Sequence, residues 1–433
     1  MKTVLPIIRT SEPEAQRRLA NLPFEEDSLW EQVAAIVAEV RAKGDEALLE
    51  YTARFDGCAL REDQLLVNPE EIAEAYQQVD DEFIQAIRKA GANIQSFHEK
   101  QKQQDWISQD ETGSLVGQVF RPMDRVGIYV PGGTANYPSS VLMTALPAKV
   151  AGVAEIVMVT PPSEDGKIPE ATLVAAREAG VTEIYRIGGA QAIAALAYGT
   201  STIKRVDKIV GPGNIYVTLA KKMVYGTVGI DMLAGPSEIL IVGDGSVKAE
   251  FAAADLLSQA EHDSKARAIL LTPSESYAQE VASEVDRQLA QLPRKEIAAK
   301  ALTDQGAIII VEDLIEAFQL ANQVAPEHLE LLVQEPLAHL SKVKHAGAIF
   351  LGPYSPEPLG DYWAGPNHVL PTAGTARYNS PLNVADFCKC SSLIAYTEQG
   401  LRQAGAEIQV LTKWESLTAH GQAIAVRMED VKK

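Results

Sequence analysis

Four of the seven histidines stand beside residues that could help them do chemistry. Gln259-Ala260-Glu261-His262 closes a stretch of helical periodicity that begins near Lys248. Gln259 and His262, three apart, share a helical face, and Glu261 turns away from it. Pro326-Glu327-His328 puts a carboxylate next to an imidazole at the start of an expected helix. Gly360-Asp361-Tyr362 and Asn367-His368 fall in a Pro- and Gly-rich loop over 352–374, and Glu415 and His420 lie five apart near the C-terminus. Imidazole and carboxylate ligands converging from separate segments suit a divalent metal, and zinc accepts both. A carboxylate beside an imidazole also suits proton transfer. Each histidine taken alone reads as well as a hydrogen-bonded core or surface residue. No H-E-x-x-H is present, and glutamine is an unusual zinc ligand, so spacing leaves both readings open. His98, on a charged helical stretch, and His339 and His345, near Lys342 and Lys344, read as solvated surface.

The elements that must position these groups follow from the periodicity of apolar residues. Stretches 30–43 and 71–100 place them at three- and four-residue spacings and predict helices. From Val126 the pattern changes to strand, glycine turn and helix. Strands are expected at 126–130, 155–160, 183–187 and 208–210, with helices at 139–151, 169–179, 190–198 and from Asn214. A second set of strands is expected at 238–242, 268–271 and 307–311, with helices between, and the tail after Phe387 reads as charged and helical. This rhythm predicts an α/β fold of two doubly wound, Rossmann-like domains with small helical appendages at each end. The boundaries are an N-terminal appendage, 1–24; a first α/β domain, 25–128 with 236–382; a second, 129–235; and a C-terminal appendage, 383–433.

Three of the turns are rich in glycine: Pro131-Gly132-Gly133, Gly188-Gly189-Ala190-Gln191 and Gly211-Pro212-Gly213-Asn214. Strands that end in glycine and feed a helix offer backbone N–H groups and a positive helix end to an anion. None matches G-x-G-x-x-G, and tight β–α turns want glycine on steric grounds alone. Consecutive strands would nevertheless line the three turns along one sheet edge, where nucleotides bind.

Several longer motifs resemble the histidinol dehydrogenase family: Leu256-Leu-Ser-Gln-Ala-Glu-His262, Val324-Ala-Pro-Glu-His-Leu329, Gly365-Pro-Asn-His-Val-Leu-Pro-Thr372, Gly211-Pro-Gly-Asn214, Gly188-Gly-Ala-Gln-Ala-Ile-Ala194 and Ala234-Gly-Pro-Ser-Glu238. The resemblance runs from Arg41-Ala-Lys-Gly-Asp-Glu-Ala-Leu48 to Leu417-Thr-Ala-His420. It implies one zinc ion per subunit, held by Gln259, His262, Asp361 and His420. It implies Glu327 and His328 as the catalytic pair. Substrate contacts carry over to Ser237, Gln259, His262, His328, Asp361, Glu415 and His420, and NAD contacts to Tyr129, Gln191 and Asn214. His368 falls in a family motif and is assigned only to the wall of the site. The resemblance further implies a homodimer whose active site is shared, with the tail of one subunit reaching its partner. The expected activity is oxidation of L-histidinol through L-histidinaldehyde to L-histidine with two NAD, at the end of histidine biosynthesis. A zinc hydrolase using metal-bound water would need the same His, Asp and Glu residues. It would leave Tyr129, Gln191, Asn214 and the glycine turns without a task.

Composition narrows the partners. A formal charge of −19 argues against nucleic acid, since phosphate binding relies on basic surface. Cys58, Cys388 and Cys390 lack the spacing of a zinc knuckle and fit a reduced compartment. No signal-peptide core is visible, and the longest uncharged stretch, between Arg125 and Lys149, is broken by Pro131, Gly132 and Pro138. The expectation is a cytoplasmic protein with no membrane partner.

Overall fold

The computed structural model describes residues 3–20, 27–132 and 136–430. Gly133 of the first glycine turn lies outside these. The chain divides into two units. One comprises residues up to 101 and 123–387, and the other comprises 102–122 together with 388 onward.

The first unit holds two parallel sheets. Five strands run in the order Glu183–Arg186, Glu155–Thr160, Arg125–Tyr129, Lys208–Val210, Gly229–Ile230. Six run in the order Ile7–Arg9, Ala307–Ile310, Arg267–Thr272, Glu238–Gly243, His328–Leu332, Ala348–Leu351. Each is wound outward from a central strand in both directions, so each has a point where the winding reverses. The central strands Arg125–Tyr129 and Glu238–Gly243 are buried along their whole length. That accounts for their continuous apolar runs, since both faces of a parallel sheet are covered.

The helix and strand expectations hold closely from Arg125 to Val324, with differences elsewhere. The 71–100 stretch is two helices, Pro69–Gln78 and Asp81–Glu99, because Asp80 caps the second by accepting from the Phe83 N–H at 2.6 Å. The expected helix after Glu327 is instead the strand His328–Leu332, and five residues flanked by strand neighbours override the local pattern. Residues 7–9, assigned to an appendage, form an edge strand of the six-stranded sheet through parallel pairing with Ala307–Ile310. The helices over 27–99 pack on helices of the five-stranded sheet, although the sequence reading grouped 25–128 with 236–382. The tail after Phe387 begins with a strand, Cys388–Ala395, paired antiparallel to Leu115–Pro122 before the helices Glu398–Trp414 and Thr418–Asp430. These elements, with the strand Trp106–Gln109, make up the second unit.

One strut bears on the site. The helix Pro138–Ala151 contains Pro147, which has no N–H to give the carbonyl four residues back, that of Met143. The Asn367 side chain supplies the missing donor at 2.6 Å, while its oxygen accepts from the Val369 N–H at 2.9 Å. The Asn367 amide also lies 3.4 Å from His98 Nε2. His98 is fully buried there rather than solvated, and burial pulls its pKa down. The loop over 352–374 is therefore anchored next to His368, and part of its polarity is structural.

Candidate active site

The polar site forms at the amino ends of two neighbouring strands of the six-stranded sheet. Glu238 opens one strand and His328 the other, with His328 in register with Ile239. Glu327 accepts from the Glu238 N–H at 2.8 Å, and Glu238 accepts from the Glu327 N–H at 3.3 Å and the Ala373 N–H at 3.0 Å. Arg267 forms an ion pair with Glu238, so the structural carboxylate is neutralised from behind. Ser237 is half-buried directly before this strand, and its carbonyl accepts from the Arg267 N–H.

His328 Nδ1 lies 3.0 Å from the Glu238 carbonyl oxygen. A carbonyl can only accept, so Nδ1 carries the hydrogen and Nε2 keeps its lone pair. That Nε2 is buried without a partner, 3.9 Å from Glu357 Oε1. Burial lowers the pKa of His328 to about 4, leaving a neutral imidazole at physiological pH. Glu327 sits 3.6 Å from His328, and burial drives its pKa well above the usual carboxylate range, with Glu238 and Asp361 adding repulsion.

The helix Ala249–Ala260 delivers Gln259 and His262 at its C-terminal end, where the His262 N–H donates to the Gln259 carbonyl. Asp361 arrives on a short helix, Glu357–Tyr362, within what the sequence suggested was a loop. Gly360 lets this helix close on the sheet: a Cβ there would lie 2.7 Å from the Phe350 ring. Ligand atoms of His262, Glu357 and Asp361 all lie within 4.8 Å of one another. The Gln259 side chain is buried with its oxygen unpartnered, and so is one oxygen of Glu357. His368 Nδ1, also unpartnered, is 3.7 Å from Asp361. One imidazole, two carboxylates and an orphaned amide oxygen form a donor set that fits zinc.

Glu357 was missed in the sequence. It lies four residues before Asp361, the spacing of one helical face, but its Pro-flanked context disguised the helix. Its N–H donates at 2.8 Å to Glu330, which is fully buried in the strand His328–Leu332. Burial, then Asp361, raises the Glu357 pKa to about 9. Behind it, Glu330 and Asp255 form a further buried acidic pair, and burial raises both, Asp255 to about 6. Glu415 caps the end of the helix Glu398–Trp414 and His420 lies in Thr418–Asp430. Both are exposed and belong to the second unit, whereas Gln259, His262, Glu327, His328 and Asp361 belong to the first.

A separate cavity of about 700 Å³ opens at the carboxyl ends of the five-stranded sheet. Its lining includes Tyr129, Gln191 and Asn214, the three residues singled out for NAD, together with Gly132 and Gly189. The Tyr129 hydroxyl accepts from the Gly189 N–H at 3.1 Å, and burial raises its pKa to about 12. Asn214 caps the helix Ile215–Val224 through Oδ1, which leaves its NH₂ for a ligand. Gln191 is buried with both side-chain polar atoms unpartnered, in the first turn of the helix Gly189–Tyr198. The orphaned NH₂ and the helix N-terminus suit an anionic group of a nucleotide, and the orphaned oxygen suits a hydroxyl or amide donor.

A sequence profile for histidinol dehydrogenase matches residues 22–428. The histidinol dehydrogenase of Heliobacterium mobile is 57% identical over 416 residues, covering 96% of this chain and 97% of that one. That of Moorella thermoacetica is 54% identical over 426 residues, covering 98% and 100%. The crystal structure of histidinol dehydrogenase from Elizabethkingia anophelis superposes with a TM-score of 0.95 at 39% identity over the whole of both chains.

Proposed function

The chain belongs to the histidinol dehydrogenase family, and on that premise we propose that it oxidises L-histidinol through L-histidinaldehyde to L-histidine. The observation that carries the reading is the unpartnered Nε2 of His328, aimed at the cluster of His262, Glu357 and Asp361. Gln259, His262 and Asp361 would hold zinc, with His420 of the partner subunit completing the set in a homodimer. When bound, zinc supplies a template for the substrate's nitrogens and NAD the hydride acceptor, two NAD being used per turnover.

His328 takes the alcohol proton on Nε2 during the first oxidation, its ring held by the Glu238 carbonyl. Glu327 draws a proton from the water that adds to the aldehyde before the second. The same burial moves the two pKa values in opposite directions, Glu327 up and His328 down, so the two groups suit distinct proton transfers. Ser237 and Glu415 would contact the substrate, and Tyr129, Gln191 and Asn214 the dinucleotide. The excess of acidic residues argues against nucleic acid as a partner. No helix among the described residues is long and apolar enough to cross a membrane.

Metal analysis of His262→Ala and Asp361→Ala tests the metal reading. Both variants are expected to fold, since their ligands sit on elements packed without the ion, yet to lose zinc and nearly all activity. Full histidinol oxidation by chelator-treated, metal-free protein contradicts it.

A further inference from the structure

We infer that Asp56 selects the dinucleotide, its carboxylate pairing with the hydroxyls of the adenosine ribose and excluding a 2′-phosphate, so that the cavity takes NAD and rejects NADP. This rests on the reading that the cavity of Tyr129, Gln191 and Asn214 holds the dinucleotide.

Asp56 lines that cavity at the C-terminal end of the helix Asp45–Phe55, where its N–H donates to the Thr52 carbonyl at 2.9 Å. One of its oxygens, Oδ2, is buried and accepts from nothing among the described residues. A carboxylate oxygen that is buried and has found no donor is an acceptor awaiting one, and a ribose diol offers two hydroxyl donors. Gly57, at φ +66°, turns the chain immediately afterwards. A Cβ on Gly57 would lie 3.6 Å from Glu164 Cγ, so a second acidic residue of the lining reaches the same end of the cavity from another loop.

The charge there has one sign. Asp56 and Glu164 line the cavity, and no lysine or arginine does so among the described residues. The carbonyl end of the helix Asp45–Phe55 adds further negative potential. Sites that accept a 2′-phosphate place an arginine near it, whereas those that prefer the free diol place an acid. Burial raises the Asp56 pKa to about 6, which still leaves it ionised at neutral pH. None of the three glycine turns carries the acidic residue that would ordinarily do this work. Asp56 comes from outside the five-stranded sheet and more than 70 residues before Tyr129, whereas the acid of a dinucleotide fingerprint follows its glycines.

Calorimetric titration of the purified protein with NAD, NADP, 5′-AMP and 2′,5′-ADP tests this, comparing the parent chain with Asp56→Asn and Glu164→Gln. The parent chain should bind 5′-AMP well ahead of 2′,5′-ADP. In Asp56→Asn, NAD and 5′-AMP should each weaken about tenfold, the worth of one charged hydrogen bond, while NADP gains relative to NAD. Glu164→Gln, at an exposed position, should raise NADP binding relative to NAD by less than Asp56→Asn does. An unchanged NADP-to-NAD ratio in Asp56→Asn overturns the inference, as does equal binding of 5′-AMP and 2′,5′-ADP by the parent. Gln191→Ala separates the two levels. If it weakens NAD while Asp56→Asn changes nothing, the cavity stands and only the role of Asp56 falls. If neither changes NAD binding, the cavity reading falls with it.

Discussion

At the scale of single residues, burial assigns the work. Glu327 and His328 are neighbours in the chain and both are buried, yet burial disfavours the charged form of each and so moves them in opposite directions. His328 is neutral above about pH 4 and ready to accept a proton across the physiological range. Glu327, raised well above the ordinary carboxylate range, must first lose its proton before it can take one from water. The sign follows: oxidation of histidinaldehyde should climb with pH on an acid limb displaced upward from that of a free glutamate. Glu327→Gln should remove the limb and slow the aldehyde step by about 10²–10⁴-fold, with the alcohol step less affected. Feeding the variant histidinol and histidinaldehyde separately across a pH series measures both. Equal losses on the two substrates would show that Glu327 has no special part in the water step.

At the scale of elements, the site depends on how short segments are held against the two sheets. Asn367 supplies the donor that Pro147 withholds from the Met143 carbonyl, tying the segment of His368 to the helix Pro138–Ala151. Asn367→Ala leaves that carbonyl buried and unsatisfied and should cost about 1–3 kcal/mol. A denaturant-unfolding midpoint indistinguishable from that of the parent would show the strut to be idle. How much of this could be read from sequence differed by element. Glycine turns between apolar strands announced four strands of the five-stranded sheet almost to the residue, because Gly and buried β-runs are local signals, whereas the two-residue strand Gly229–Ile230 carries too short a run to be read. Gln259 and His262 were legible from helical spacing. Glu327 was placed before a helix because its strand takes its hydrogen bonds from Glu238–Gly243 and Ala348–Leu351, both distant in sequence. Glu357 stayed hidden behind Pro356 and Pro358, whose presence suggested loop where a single turn of helix was possible. His98 looked solvated because its neighbours are charged, whereas the face it shares is covered by Asn367.

At the scale of the whole molecule, the two sheets use opposite edges. The cavity proposed for the dinucleotide opens where Tyr129 and Thr160 end their strands, as the rule for doubly wound sheets requires. The proposed acid–base pair, Glu327 and His328, lies where the strands of Glu238 and His328 begin, so the second sheet departs from that rule. His420 and Glu415 are carried by the other unit, and the proposed shared site makes a direct prediction. His262→Ala and His420→Ala proteins, each inactive alone, should regain about a quarter of their sites when subunits exchange at random. A mixture that stays inactive after demonstrated exchange would mean that each tail serves its own subunit. The central claim is a four-electron oxidation at one site, and its most direct measure is the number of NADH formed per histidine produced from histidinol. The account predicts two, with no free aldehyde accumulating. A ratio of one, or histidine formed without NADH, would contradict it.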